Sequence, residues 1–434
     1  QLNEGKNIMM KAILCLFAIL PLAVQAQVTP ERLDRLASEA QPQVVEWRRW
    51  FHQNPELSNR EFKTSERIAG ILTDMGLEPQ TGIAHTGIVA IIEGGKPGPM
   101  VAIRTDMDAL PVTEQTGLPF ASTAMGEYKG QEVGVMHACG HDAHMSMVLG
   151  SAWVLNAVKE DLAGSVMLIF QPAEEGPPPG EKGGARLMLE EGIWDETKPE
   201  AVFGIHVGMA PGGTVGVRPG PIMAASDRFQ ITVEGQQTHG AIPWGGVDPI
   251  VIASQIVLGL QTIGSRQVDV TLAPSIVSVG RISGGVRNNV IPSEVELEGT
   301  IRTFDEEMRK DIHQRIERTA RGIAESAGAT IEFELELGNP VVFNDRELTA
   351  RMMPTLERVA PRLMTVNPQT VAEDFSEFAN QAPAIFMFLG NGPPDADLAD
   401  LSSNHSPYFD VHEPNMELGV RVFSNLVVDY LAGE

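Results

Sequence analysis

The sequence holds only two cysteines, Cys15 and Cys139, in 434 residues. That excludes a small fold stapled by several disulfides. Positive charge is also scarce: 32 Lys and Arg stand against 57 Asp and Glu, a formal net charge of −25. Such a chain repels nucleic acid and anionic membrane surfaces, so neither is an expected partner. Beyond the amino-terminal segment no apolar run is long enough to span a bilayer. There is no internal repeat and no disordered linker. What is present is 43% hydrophobic residues and 21% charged ones, the composition of a globular chain with core enough for two domains.

At the amino terminus Lys11 precedes the apolar run AILCLFAILPLAV, which ends at VQA before Gln27. A basic start, an apolar centre and small residues at the end make a secretory signal over 9–26, cleaved after Ala26. Pro21 interrupts the run, which is too short for a membrane span. The mature protein is therefore expected to be periplasmic or secreted, without a membrane anchor. Cys15 leaves with the signal, so Cys139 becomes the lone thiol. An exported lone thiol is buried filler, a nucleophile or a metal ligand. Cys139 lies in MHACGHDAH, Met136 to His144, with three histidines and an aspartate around it.

Residues 31–50 and 60–75 show helical spacing, and 143–160 reads as a helix. GIVAIIEG and MVAIRTD are short β-rich runs. SVMLIFQ (165–171) and AVFGIHV (201–207) are nearly continuous apolar runs, the pattern of strands buried on both faces. Alternating strands and helices predict an α/β catalytic domain with a mostly parallel sheet. Between about 222 and 337 the pattern becomes βαββαβ, the order of a ferredoxin-like unit. The expected division is 27–221 and 338–434 for the catalytic domain, with 222–337 inserted as a second domain.

Acids and histidines gather where buried strands end: Asp106 and Asp108 after VAIR, Glu174 and Glu175 after LIFQPA, His206 in VFGIHV. Taken singly, such an Asp is a cap or turn residue, such a His a hydrogen-bonded loop residue, and a Glu pair a solvated surface pair. Several strand ends carrying such residues together point to a cation or substrate in the crevice beyond the sheet. Cys139 as thiolate and His141 suit zinc. Adjacent glutamates suit a metallohydrolase, one binding metal while its neighbour moves a proton.

RTDMDALP, MHACGHDAH, QPAEEG, GIHVGMAPGG, THGAIPWGGVDP, RNNVIP, GTIRTF, EDFSEF and NHSP occur in one order along the chain. The chain thereby resembles the M20 metallopeptidase family, in the branch of hippurate hydrolases, N-acyl-amino-acid amidohydrolases and auxin-conjugate hydrolases. The resemblance covers nearly all of the mature chain. It implies two divalent ions, zinc first, with manganese, cobalt or nickel as alternatives. They would be held by Cys139, His141, Glu175, His206 and His405, with Cys139 as the bridge. Other branches open the site with His-x-Asp; here that place reads Asp106-Met107-Asp108, so Asp108 is expected to orient ligands instead of binding metal. The resemblance further implies Glu174 as general base, His239 as an oxyanion stabiliser acting across a homodimer of lid domains, and Asn288 and Arg302 as binders of the substrate carboxylate. Glu373 and Asp374 are expected to support the site from behind.

The function so implied is hydrolysis of N-acyl amino acids by an exported binuclear amidohydrolase. The alternative on the same scaffold is a dipeptidase or carboxypeptidase. A non-catalytic binding protein would be expected to have lost Glu174 or a ligand. A cysteine hydrolase using Cys139 would leave Glu174 and Glu175 without a task.

Overall fold

The computed structural model describes residues 28–433. The expected signal, 9–26, and Cys15 with it lie outside the described residues. Among those described, no helix is long and apolar enough to cross a membrane.

The first helix, Pro30–Gln53, starts as its sequence dictates. Thr29 accepts the Arg32 N–H, and Pro30 occupies the first turn, where its missing N–H costs nothing. Leu33, Ala37, Ala40, Val44, Trp47 and Phe51 form its buried stripe. That stripe packs with the helices His141–Ala157 and Met416–Ala432 on one face of the main sheet.

The sheet has eight strands, in the order Gln80–Ile83, Gly87–Glu93, Ala163–Gln171, Lys96–Asp106, Ala201–Gly208, Ala384–Gly390, Thr214–Val217 and Arg362–Thr365. The four central strands run parallel, as does the last pair; the remaining neighbours are antiparallel. The strand Ala163–Gln171 shows why its sequence is apolar throughout. Val166, Leu168 and Phe170 enter the core under the three helices, while Met167 and Ile169 enter a second core on the opposite face, with Met188, Phe375 and Phe378. The result is the predicted α/β architecture with a mostly parallel sheet.

From Ala225 to Leu337 the chain builds a second, antiparallel sheet, ordered Ser275–Ser283, Glu294–Thr303, Ala225–Glu234 and Thr330–Leu337. The helices Pro249–Thr262 and Glu306–Ser326 close its core over Phe229, Ile231, Val233, Leu297 and Ile301. This is the expected βαββαβ unit. A short ribbon pairing His239 with Val290 extends from it. Where the chain enters and leaves this unit, buried Asp227 binds Arg309 at 2.6 Å, His313 at 2.7 Å and the Gly338 N–H at 3.1 Å. One carboxylate thus joins the two crossings.

Some elements escape a reading by pattern. The helix Arg346–Val359 has a regular buried stripe, Leu348, Met352, Leu356 and Val359, but Pro354 inside it argues against a helix. The strands Thr214–Val217 and Arg362–Thr365 have four residues each, too few to show alternation.

Candidate active site

Five segments converge beyond the carboxyl ends of the central strands. Cys139 ends the loop before the helix His141–Ala157, and His141 opens that helix. Between them Gly140 has φ +93°, and a Cβ there would stand 2.3 Å from Val207. Glycine is therefore required where this loop crosses the strand that carries His206. His405 is itself left-handed, φ +69°, and its N–H is held by the Ala138 carbonyl at 2.8 Å.

Among the described residues the ligand-type atoms form five close groups, two of which share Cys139. Cys139, His141 and His206 make the first; Cys139, Glu175 and His405 make the second, with ligand atoms in each within 4.8 Å of one another. Cys139 Sγ lies 3.4 Å from His206 Nε2 and 3.3 Å from His405 Nε2. Glu175 Oε1 is 3.2 Å from His405 Nε2. Hydrogen bonds already fix the ring orientations. His141 Nδ1–H donates to the Asp108 carbonyl at 2.8 Å, and His206 Nδ1–H donates to the Val207 carbonyl at 2.7 Å. This leaves Nε2 of each as the free lone pair.

These donors fit a pair of divalent ions. His141 Nε2 is buried and has no hydrogen-bond partner, an arrangement costly unless something binds it. Burial alone would discharge His141, yet Asp106, Asp108 and Glu175 outweigh it and raise this histidine to about 10. The site holds positive charge strongly. Burial, Glu175 and Glu174 push the Cys139 thiol well up, so a cation is needed to make it a thiolate. Burial pushes His206 well down, into the neutral form that ligates metal.

Glu174 stands beside this set, its Oε2 at 3.9 Å from His141 Nε2 and only 9% of its side chain exposed. Burial raises its carboxyl well above the usual range, and the charges of Glu373, Glu175 and Asp374 raise it further. Asp108 accepts the N–H groups of Glu174 and Glu175, each at 3.1 Å. It thus orients both glutamates and, through its carbonyl, His141.

Supports the sequence did not reveal complete the site. His144, three residues after His141 on the same helix, places Nδ1 2.7 Å from Asp106 and accepts the Val207 N–H at 2.8 Å. Asn404 donates to the carbonyls of Cys139 and Val207, at 3.1 and 3.2 Å, and so ties three ligand-bearing segments together. Arg104, fully buried after the apolar run 100–103, binds Gln171, Asp106, Glu373 and Asp374 at 2.8–3.0 Å. That charge in the run VAIRTD was the available signal. Farther back, Asp142 beside His141 pairs with Arg48 and His52, both at 2.8 Å, and so anchors the ligand-bearing turn to the first helix.

The second domain contributes nothing to the cluster within this chain. His239 is exposed on its ribbon, its Nδ1 accepting the Ala241 N–H at 3.0 Å. Asn288 is exposed in the loop before Val290. Arg302 is half-buried on the strand Glu294–Thr303 of the second sheet, and its Nη1 donates to the Ile301 carbonyl at 3.0 Å. Among the described residues no carboxylate pairs with its guanidinium, and no hydrogen bond or ion pair links these three residues to the metal-type cluster.

Residues 102–429 match the model of peptidase family M20/M25/M40. Thermostable carboxypeptidase 2 of Saccharolobus solfataricus is 38% identical over 403 residues, covering 92% of this chain and 98% of that protein. An N-acyl-L-amino acid amidohydrolase of Geobacillus stearothermophilus is 41% identical over 318 residues, 73% of this chain and 82% of its own. Among solved structures, a dinuclear metal binding peptidase of the M20 family from Bacillus subtilis superposes with a TM-score of 0.77 at 34% identity, covering 91% of this chain and 99% of that one. With a match over most of its length and a ligand cluster built for divalent metal, the chain belongs to peptidase family M20/M25/M40 and is a metal-dependent hydrolase of amide bonds.

Proposed function

We propose that the substrate is an N-acyl amino acid with a free carboxylate, split into an acid and an amino acid. The observation that carries this reading is Arg302, a half-buried guanidinium of the second domain that pairs with no carboxylate among the described residues. A planar fork of donors held there suits a substrate carboxylate. Similarity to the N-acyl-L-amino acid amidohydrolase and to an N-acetyl-L-cysteine deacetylase of Bacillus subtilis supports the acyl side.

In this reading Cys139, His141, Glu175, His206 and His405 would hold the metals. Bound divalent metal supplies Lewis acidity, which polarises a carbonyl and acidifies water. Glu174 takes the proton from the attacking water and delivers it to the nitrogen as the C–N bond breaks. Asp108 keeps Glu174 and Glu175 in register. Arg302 and Asn288 orient the carboxylate. His239 serves the developing oxyanion from the partner subunit of a homodimer, which accounts for its exposure in the single chain.

A second reading, carboxypeptidase, is favoured by the similarity to the Saccharolobus enzymes. It too requires a free carboxylate at the scissile residue. A panel of N-acetyl-, N-benzoyl- and indoleacetyl-amino acids beside free dipeptides and longer peptides separates the two. We expect kcat/KM to be highest on the N-acyl amino acids; preference for peptides of any length would replace the first reading by the second. Export is part of the proposal. The mature chain should begin near Gln27 when sequenced from the native host, and a cytoplasmic protein retaining Met9 or Met10 would refute it.

A further inference from the structure

Glu61 stands immediately before the helix Phe62–Asp74, where a side chain ordinarily caps the first turn, yet it makes no such bond. Its carboxyl group is fully buried and faces away, toward the catalytic loop. Oε1 accepts the Ala173 N–H at 2.9 Å, and Oε2 accepts the Thr86 hydroxyl at 2.6 Å. Ala173 has φ +52°, a left-handed conformation rare for a residue with a Cβ, and it directly precedes Glu174. The next two N–H groups, of Glu174 and Glu175, go to Asp108. Two buried carboxyl groups thus take three successive amides of the turn.

Neighbours of Glu61 hold the same loop. Ser58 donates its hydroxyl to Asp108 at 2.7 Å. Asn59 donates to Glu181 and to the Lys182 carbonyl at 3.1 and 3.0 Å, and Arg60 binds Glu181 at 2.6 Å. Residues 58–61 therefore grip the loop near Glu174 and again at 181–182. Burial and the adjacent Asp108 charge push Glu61 up to about 8, so near neutral pH it is mainly the uncharged acid. Two neighbouring carboxyl groups are costly to bury, and hydrogen bonds to the turn offset that cost.

We propose that Glu61 is a positioning residue for amide hydrolysis, holding Ala173 in its left-handed turn so that Glu174 meets the substrate in register. The proposal rests on Glu174 as the proton carrier. Misplacing a reacting group by about 1 Å costs on the order of 10²-fold. Glu61→Ala should therefore lower kcat about 10- to 100-fold, with KM and metal content nearly unchanged. Glu61→Gln keeps an acceptor for Ala173 and mimics the uncharged acid, so its kcat should stay within about threefold of wild type. In a Glu174→Gln background Glu61→Ala should add little further loss. Wild-type turnover by folded, metal-loaded Glu61→Ala would overturn the proposal, and so would an equal loss in Glu61→Gln. If the alanine variant does not fold, Glu61→Asp, one methylene short of Ala173, replaces it under the same two criteria. If instead Glu174→Gln alone retains full turnover, the assignment of Glu174 fails, and that result needs no Glu61 variant to be seen.

Discussion

Chelation of divalent metal should abolish hydrolysis, and adding back zinc, manganese, cobalt or nickel should restore it. The argument is electrostatic. Asp106, Asp108, Glu174 and Glu175 crowd around His141, strongly enough to keep that buried histidine charged in the absence of any other cation. A protonated His141 cannot ligate, and a protonated Cys139 is a poor ligand. Metal binding must therefore displace protons, and the metal should bind more tightly as pH rises toward neutrality and above. Two ions per subunit are expected by elemental analysis, because two groups of ligands share Cys139. Full activity in a protein shown to be free of metal would remove this assignment.

The next largest effects should come from Glu174 and His239, and from mixing their variants. Glu174→Gln keeps the shape of the side chain but cannot carry a proton, so turnover should fall at least ~10²-fold. Metal content should hold. This matters because Glu174 Oε2 comes within 3.9 Å of His141 Nε2; loss of metal in the variant would make Glu174 a ligand and exchange its part with Glu175. His239→Ala should fold, bind metal and lose ~10²–10³ in turnover, the usual cost of one oxyanion donor. His239 is exposed and unconnected to the cluster of its own chain, so the contribution proposed for it is one made through a partner subunit. A mixed dimer of the two variants contains one site with both Glu174 and the partner's His239 intact. Activity should return in part on subunit exchange. If subunits demonstrably exchange and no activity returns, the cross-subunit assignment fails.

Local pattern alone was enough for the architecture and for the chemical character of the site. A strand buried on both faces must be apolar at every position, and a strand covered on one face must alternate. Hence SVMLIFQ and the βαββαβ order could be read without coordinates. Cys139, His141, Glu174, Glu175 and His206 stood out because metal ligands are restricted to a few residue types and because a rare cysteine sits among histidines; His405 and the sharing-out of roles came only through the family resemblance. The tertiary structure decided what depends on distant segments meeting. Asn404 matters only because folding brings Cys139 and Val207 within reach of one amide. Arg104 is neutralised by residues 373 and 374, far along the chain. Glu61 reads as an ordinary helix-start residue until its carboxyl group is found under Ala173. A sequence shows which groups are available for hydrogen bonding; which ones face each other is set by the packing of the sheet and its helices, since burial leaves each polar group only the partners the fold places beside it.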